Sequence, residues 1–391
     1  MINSPTQDAL PLAKLHHCDF HRHESRSTHA FVDGLETRDL SPMPAHVWQR
    51  PASKSDMLRF VHSSALHKAR IAQYRKGRNC SMTVYSSLMF IEMRIGMKLE
   101  IGFAEQDAWR TLTGGRDVLA LLRGLGVSAV ETPVGAETDG SVLARHLRLC
   151  ERAGLVVSLH PYSEGTRSNP AYFAPDAGNS CAALHTGFLE VAAEAALRQH
   201  VPAIVNVHAA AAPAGHPRGD LLEQSVRFFR WAREWCGKNA PDVRPVSELQ
   251  IAPDAGEPVQ RIADNYAELL EIAARSEVGV CWDFGHAFLN SRRFGTELDP
   301  PPELLGRILH VHCHDVDVSD HRPLICGNVP WQRFLGRLID AGFDGTVVLE
   351  VLPGAFLAMG GLTALERSIS ALVSFRRQYP GNSVREGFSW R

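Results

Sequence analysis

The segment "ILHVHCHDV", residues 308–316, places three histidines at alternate positions and closes on an aspartate. Its β-branched and aliphatic residues predict a β-strand. Because side chains alternate across a strand, His310, His312 and His314 share one face. Alternate residues lie about 6.6 Å apart along a strand. We therefore expect only one of the three to lie level with any one site, with His310 deeper and His314 nearer the rim.

The same type of run recurs along the chain from residue 97. Short β-rich runs alternate with amphipathic stretches such as "DVLALLRGLG" (117–126) and "NYAELLEIAARS" (265–276). The predicted strands are residues 98–103, 129–134, 156–162, 203–209, 244–250, 278–286, 308–316 and 346–352. Eight strands, each followed by a helix, predict an α/β fold of the (β/α)8 TIM barrel type. A doubly wound open sheet is the alternative, but no G-x-G-x-x-G motif follows an early strand.

Residues 1–96 differ from the rest of the chain. They are rich in His, Ser and Arg and show no sustained helical or strand period. We expect them to be a disordered or weakly helical extension, or a misassigned start, and residues 97–391 to form the catalytic barrel. A chain beginning at Met97 should then be soluble and active. For "HHCDFHRHE" (16–24) we expect solvated side chains rather than a metal-binding tract.

The overall composition points to no macromolecular partner. The formal net charge is -2, which gives no general field for nucleic acid or a membrane surface. Eight cysteines occur without a C-x-x-C pair, as in a reduced cytoplasmic protein. No stretch has the apolar length of a bilayer-spanning helix, and the N-terminus lacks the pattern of a signal peptide.

Acidic and imidazole side chains end most of the predicted strands. In a (β/α)8 barrel the active site lies at the C-terminal ends of the strands. A single histidine there is more often structural than functional, but so many carboxylates at one barrel mouth would repel one another without a cation. We therefore predict a divalent metal. The residues concerned are His160, His208, Glu248, Asp283, His286, His312, His314, Asp315 and Glu350.

Four motifs in chain order carry a family resemblance: "VSELQ", "WDFGH", "HVHCHD" and "VVLEV". With the run from 320 to 350, they make the chain resemble the sugar phosphate isomerase/epimerase family, the xylose isomerase-like TIM barrels. The resemblance implies one divalent ion (Mn, Mg, Co or Zn) held by Glu248, Asp283, His312 and Glu350. One departure is "LICGN" (324–328), where the family more often has Gly-Glu-Gly.

The resemblance also implies a reaction. A metal that chelates a carbonyl and its neighbouring hydroxyl stabilises an enediolate, and Glu248 and Glu350 would act as an acid/base pair on opposite faces of the substrate. His286 would contact a substrate oxygen. His208, His160 and Glu131 are further candidates for substrate hydroxyls. The predicted activity is isomerisation or epimerisation of a sugar, phosphorylated or not, or of a cyclitol.

The sequence is also compatible with other functions. "SLHPY", "NVHAA" and His321 also resemble the endonuclease IV branch, in which further histidines hold additional metal ions for hydrolysis; His321 and His314 are therefore candidates for a second metal or for substrate. Against a DNA-repair role, Ser319 stands where that branch has an aspartate ligand. A dehydratase of the same superfamily and a catalytically silent binding barrel are the remaining alternatives. The sequence does not decide whether the protein is a homo-oligomer.

Overall fold

The computed structural model describes residues 93–163, 165–176 and 178–379, all within the unit Ser87–Arg391. Eight parallel strands close a barrel in the order β1-β10-β9-β8-β6-β4-β3-β2. The predicted (β/α)8 barrel is confirmed, and the open sheet is excluded because β1 pairs with both β2 and β10. The barrel strands are β1 (Arg94–Lys98), β2 (Ala129–Val134), β3 (Val156–Pro161), β4 (Ala203–Val207), β6 (Val243–Glu248), β8 (Gly279–Asp283), β9 (Ile308–Cys313) and β10 (Thr346–Leu349).

Helices surround the barrel. The α-helices are Asp107–Thr113, Val118–Gly124, Gly140–Arg152, Gly165–Ser168, Ser180–Gln199, Arg218–Asn239, Tyr266–Ser276, Phe284–Phe294, Pro302–Leu305, Trp331–Asp340, Pro353–Ala358 and Leu362–Gln378. Short 3-10 helices cover Phe103–Glu105 and Pro170–Tyr172. Two further short strands, β5 (Ala211–Pro213) and β7 (Val259–Arg261), pair antiparallel to each other.

Seven of the predicted strands lie close to the observed ones. The second, residues 129–134, matches β2 (Ala129–Val134) at both ends. The sixth was predicted to reach residue 286, but β8 ends at Asp283 because the next helix begins at Phe284. The Asp283 carboxylate caps this helix by accepting the backbone N–H of His286 at 2.7 Å.

The first strand was predicted at the wrong place. It was expected at residues 98–103, whereas β1 is Arg94–Lys98. The apolar alternation starts before Met97, since Ile95, Met97 and Leu99 are all fully buried. Gly102, with a φ of 77°, lies in the left-handed region just before the 3-10 helix, so the chain has already turned there. The predicted domain start at residue 97 thus lies inside β1.

Strand register brings the functional side chains together. Asp283 on β8 pairs with His312 on β9, and Val348 on β10 pairs with His312 on the other side. The β8–β9 ladder shifts register between Val280 and Cys281. Because the strands are parallel, their last residues meet at one end of the barrel, as the sequence predicted.

The extension predicted for residues 1–96, including "HHCDFHRHE", lies outside the described residues apart from 93–96. The six cysteines of the described part are free, and five of them are buried. Among the described helices, none is both long and apolar enough to cross a membrane.

Candidate metal centre

The four residues predicted to bind metal lie together at the C-terminal end of the barrel. Glu248 ends β6, Asp283 ends β8, His312 lies on β9 and Glu350 directly follows β10. All four side chains are at most 2% exposed. They come from four consecutive strands of the barrel, β6, β8, β9 and β10.

His312 lies at the centre of this group. Its Nδ1 atom is 2.8 Å from Oε2 of Glu350, 3.5 Å from Oε2 of Glu248 and 3.6 Å from Oδ2 of Asp283. Three carboxylates thus converge on one imidazole nitrogen. One imidazole and three carboxylates are a donor set that suits Mn²⁺, Zn²⁺ or Mg²⁺.

Two atoms at the centre of this group lack hydrogen-bond partners. Nδ1 of His312 and Oε2 of Glu350 are both buried, and although they lie 2.8 Å apart, neither makes a hydrogen bond of good geometry. Buried polar atoms without partners are costly, and a shared cation would satisfy both. The residues present therefore fit a divalent ion.

The charges around this group favour ionised carboxylates. Burial alone would raise the pKa of Glu350, but His312, Lys98 and His321 lower it well below its ordinary value. Burial likewise opposes ionisation of Asp283, and neighbouring histidines, first His286, lower its pKa. Anionic ligands are the state in which carboxylates bind metal ions.

Glu131 is not placed as predicted. It was expected to hold substrate hydroxyls, but it is 1% exposed and both of its oxygens accept hydrogen bonds from histidines. Oε1 accepts from Nε2 of His312 at 2.6 Å, and Oε2 accepts from Nε2 of His310 at 2.6 Å. Two imidazoles on the same face of β9 thus share one carboxylate of β2.

Lys98, Tyr162 and Asn206 contact the site but were not predicted. Lys98 is the last residue of β1, and its Nζ donates to Oε1 of Glu350 at 3.0 Å. It also lies over the Tyr162 ring, 5.3 Å from the centroid. Asn206 on β4 donates to Oε2 of Glu248 at 2.5 Å. The misplaced first strand hid Lys98, whereas Asn206 lies two residues before His208, so alternation could have indicated it.

His160 and His208 flank Glu248. Nδ1 of His160 donates to the Asn206 carbonyl at 2.9 Å, and its Nε2 lies 3.4 Å from Oε2 of Glu248. Nε2 of His208 lies 3.5 Å from Oε1 of Glu248, and this side chain is 22% exposed. His208 therefore faces the open mouth, whereas the pKa of His160 is lowered to about 4, chiefly by burial.

His286 lies between Asp283 and the strand that carries Glu248. Its Nδ1 donates to the Leu249 carbonyl at 2.9 Å. The same nitrogen is 3.3 Å from Oδ2 of Asp283. Nε2 is therefore the ring nitrogen left for a ligand, as the predicted substrate contact requires.

His314 was expected at the rim, but it is fully buried. Its Nε2 lies 3.1 Å from Oδ1 of Asp283, and its Nδ1 accepts the backbone N–H of His321 at 3.0 Å. The ring packs directly on Gly285, where a Cβ atom would overlap it. Both nitrogens of His314 are thus engaged within the protein.

His321 reaches the site from the loop after β9. Its ring stacks on His314 with centroids 4.4 Å apart, and its Nε2 lies 3.4 Å from Oε2 of Glu350. Asp320 is 3.1 Å from its Nδ1. Burial opposes protonation, but Glu350 and Asp320 raise the pKa of His321 to about 10. His286, His314 and His321 form a group whose ligand atoms lie within 4.8 Å of one another.

Asp315, which ends the predicted seventh strand, is also covered by the protein. It is fully buried and accepts backbone N–H groups of the following loop, at 2.5 Å from Gly327, 3.1 Å from Asn328 and 3.0 Å from Val329. Gly327, with a φ of 77°, occupies the left-handed region. The "LICGN" segment is therefore a turn around a carboxylate.

Comparison with known proteins agrees with this architecture. The family model for the xylose isomerase-like TIM barrel matches residues 119–370. A D-psicose 3-epimerase solved in the presence of D-fructose is 13% identical, with a TM-score of 0.50 over 74% of this chain and 100% of that one. D-psicose 3-epimerase with D-tagatose from Clostridium cellulolyticum H10 is 14% identical, with a TM-score of 0.50 over 73% of this chain and 99% of that one.

No curated protein matches the chain significantly. At these identities the solved structures show a common fold. The family model, however, spans well over half of the sequence, from residue 119 to residue 370. The chain therefore belongs to the xylose isomerase-like TIM barrel family.

Proposed function

We propose that the protein is a divalent-metal-dependent isomerase or epimerase of sugars or cyclitols. One observation carries the proposal: three carboxylates from β6, β8 and β10 converge on Nδ1 of His312, and two of them are glutamates. The chain also shares its fold with two D-psicose 3-epimerases. Glu248, Asp283, His312 and Glu350 would hold the ion.

The two glutamates would act as the catalytic acid and base. The chemistry that a bound ion supplies is polarisation of a carbonyl and its neighbouring hydroxyl, which acidifies the C–H bond between them. Glu248 ends β6 and Glu350 follows β10, and β8 and β9 lie between these two strands in the barrel. Their carboxylates would approach a bound substrate from different sides. One would remove the proton and the other would return it.

Other side chains orient the substrate. His208 and His321 are partly exposed, at 22% and 31%, and each has a ring nitrogen within 3.5 Å of a glutamate oxygen. Imidazole nitrogens at the mouth can donate hydrogen bonds to substrate hydroxyls. Sugars and cyclitols, phosphorylated or not, are therefore the substrate class that we propose.

A multi-metal hydrolase is the second candidate, favoured by the group His286, His314 and His321. The hydrogen bonds of His314 weigh against it. Nδ1 of His314 lies 3.0 Å from the backbone nitrogen of His321 and 3.2 Å from the carbonyl oxygen of Asp315, and its Nε2 lies 3.1 Å from Oδ1 of Asp283. A second ion would need His314 to break one of these contacts.

The test combines metal content with solvent isotope exchange. Purified protein loaded with Mn²⁺ would be incubated with ketoses and inososes in D₂O, and NMR would follow deuterium at the carbon beside the carbonyl. We expect one bound ion and deuterium incorporation. His312→Ala should lose both, and His216→Ala, which removes an exposed imidazole, should keep both. Two or more ions, falling to one in His321→Ala, with phosphodiester hydrolysis and no exchange, would support the hydrolase instead.

A further inference from the structure

We infer that Glu131 is a positioning residue that turns Nδ1 of His312 toward the three carboxylates. The inference rests on the proposed metal centre, because it concerns how that centre keeps its imidazole ligand. The sequence predicted that Glu131 binds substrate hydroxyls. We infer instead that it acts on His312 inside the barrel.

The hydrogen bonds fix which His312 nitrogen is free. A carboxylate accepts hydrogen bonds, so the 2.6 Å contact means that Nε2 of His312 donates to Oε1 of Glu131. When a cation takes the place of the second proton, the imidazole is neutral and protonated at Nε2, and its lone pair is on Nδ1. Nδ1 is the nitrogen that faces Glu248, Asp283 and Glu350.

The contact also fixes the position of the ring. Glu131 lies on β2 and His312 on β9, and β1 and β10 separate these strands in the barrel. The hydrogen bond therefore crosses the barrel interior and holds the ring at its Nε2 atom. Glu131 is 1% exposed and His312 is fully buried, so water does not replace this contact.

His310 holds the other oxygen of Glu131. Its Nε2 donates to Oε2 at 2.6 Å, and its ring centroid lies 5.6 Å from that of His312. With both oxygens engaged, the carboxylate has no freedom to rotate toward the mouth. This explains why β9 carries two imidazoles on one face: His312 serves the ion, and His310 orients the carboxylate behind it.

The experiment compares substitutions on the two faces of β2. Glu131→Leu removes the contact, Glu131→Gln keeps an oxygen that accepts from Nε2 of His312, and Thr132→Val is the matched control. Thr132 is the next residue, is fully buried and bonds to His146 outside the barrel at 2.9 Å. Full-length variants would be assayed for Mn²⁺ affinity by competition with a chelating dye, for the visible spectrum of the Co²⁺ form and for thermal unfolding without metal.

We expect Glu131→Leu to weaken Mn²⁺ binding roughly 10- to 100-fold and to change the Co²⁺ spectrum. Glu131→Gln should recover part of the affinity. Thr132→Val should lower the unfolding temperature but leave affinity and spectrum as in the wild type. A Glu131→Leu protein with wild-type affinity and spectrum would overturn the inference alone, whereas a wild-type protein that binds no divalent ion would overturn the proposed function too.

A second pair of variants decides the matter if Glu131→Leu does not fold. His310→Ala releases one oxygen of Glu131, and His146→Ala removes a buried imidazole from the outer layer. We expect His310→Ala to bind Mn²⁺ more weakly than His146→Ala, with one ion at saturation in both. Equal affinities in these two variants and in Glu131→Gln would overturn the inference.

Discussion

Lys98 and Glu350 form an ion pair between the first and last strands of the barrel, with 3.0 Å from Nζ to Oε1. Both side chains are at most 10% exposed. The carboxylate therefore depends on protein partners rather than on water. We predict that Lys98→Met destabilises the metal-free protein by about 3 kcal/mol, because it leaves a buried carboxylate short of a cation.

Urea unfolding without metal would measure this effect. The control is Arg333→Met, which breaks a half-exposed ion pair with Asp299 and should cost less than about 1 kcal/mol. Equal losses in the two variants would show that Lys98 does not stabilise the charge of Glu350. Added Mn²⁺ should recover part of the loss in Lys98→Met only.

Glu248→Gln and Glu350→Gln should each reduce turnover by a factor of about 10² to 10⁴ or more, since an amide accepts no proton. Folding should survive, because an amide keeps the shape of the side chain. Steady-state rates would be measured at saturating metal, beside Glu303→Gln, which changes an exposed helical carboxylate. Substantial turnover in either site variant would rule out that glutamate as the base.

Gly285→Ala should destabilise the fold by about 1 to 3 kcal/mol, because the added methyl group overlaps the imidazole of His314. Gly237→Ala is the control: it lies in the helix Arg218–Asn239 with open space at the Cβ position and should be neutral or slightly stabilising. Thermal unfolding would compare the two. If Gly285→Ala left the stability unchanged, the ring of His314 would have to move easily to make room for the methyl group.

The start of the barrel can be tested by truncation. A chain beginning at Met93 keeps all of β1, whereas one beginning at Met97 loses Arg94, Ile95 and Gly96, which pair with β10. Ile95 is fully buried, so its loss alone should cost about 2 to 5 kcal/mol. We predict that the Met93 chain folds and the Met97 chain does not, as circular dichroism would show. A stable, active Met97 chain would restore the boundary expected from the sequence.

Stability should fall in mild acid. Burial lowers the pKa of both His146 and His185 to about 4. Unfolded histidine titrates near 6.5, so between about pH 6.5 and 4 the unfolded chain takes up protons that the folded chain does not. The stability that these two histidines contribute is therefore complete above about pH 6.5 and decreases as the pH falls.

At pH 5 each of these histidines should lower the free energy of unfolding by about 2 kcal/mol relative to pH 7. Urea unfolding at the two pH values would show a smaller difference for His185→Phe than for the wild type. His216→Gln, which changes an exposed imidazole, should leave the difference as it is. An unchanged difference in His185→Phe would mean that this residue takes up its proton in the folded state.

The barrel could be predicted because its signals are local. Alternating apolar residues mark each strand, and acidic and imidazole residues mark the strand ends. The choice of Glu248, Asp283, His312 and Glu350 among these residues came from the resemblance to the family. The exception was β1, where the assumed start at Met97 separated Ile95 from the pattern to which it belongs.

The contacts across the barrel could not be predicted. Glu131 lies 179 residues before His310 and 181 residues before His312 in the sequence. Its hydrogen bonds to them depend on how closely β2 and β9 approach each other, which spacing along the chain does not reveal. The burial of His314 has a similar origin. Gly285 lets an adjacent helix approach, so His314, which directly follows β9, is covered rather than exposed at the rim.

The hydrogen bonds of Asp315 bear on how a ligand enters. The loop that carries His321 is closed at its base by the pairing of Asp315 with Arg322 and farther along by the turn at Gly327. The conformational entropy of that loop is thus lost when the chain folds, not when a substrate arrives. A ligand would then meet a preorganised wall on the β9 side, and selectivity there would come from shape rather than from induced fit.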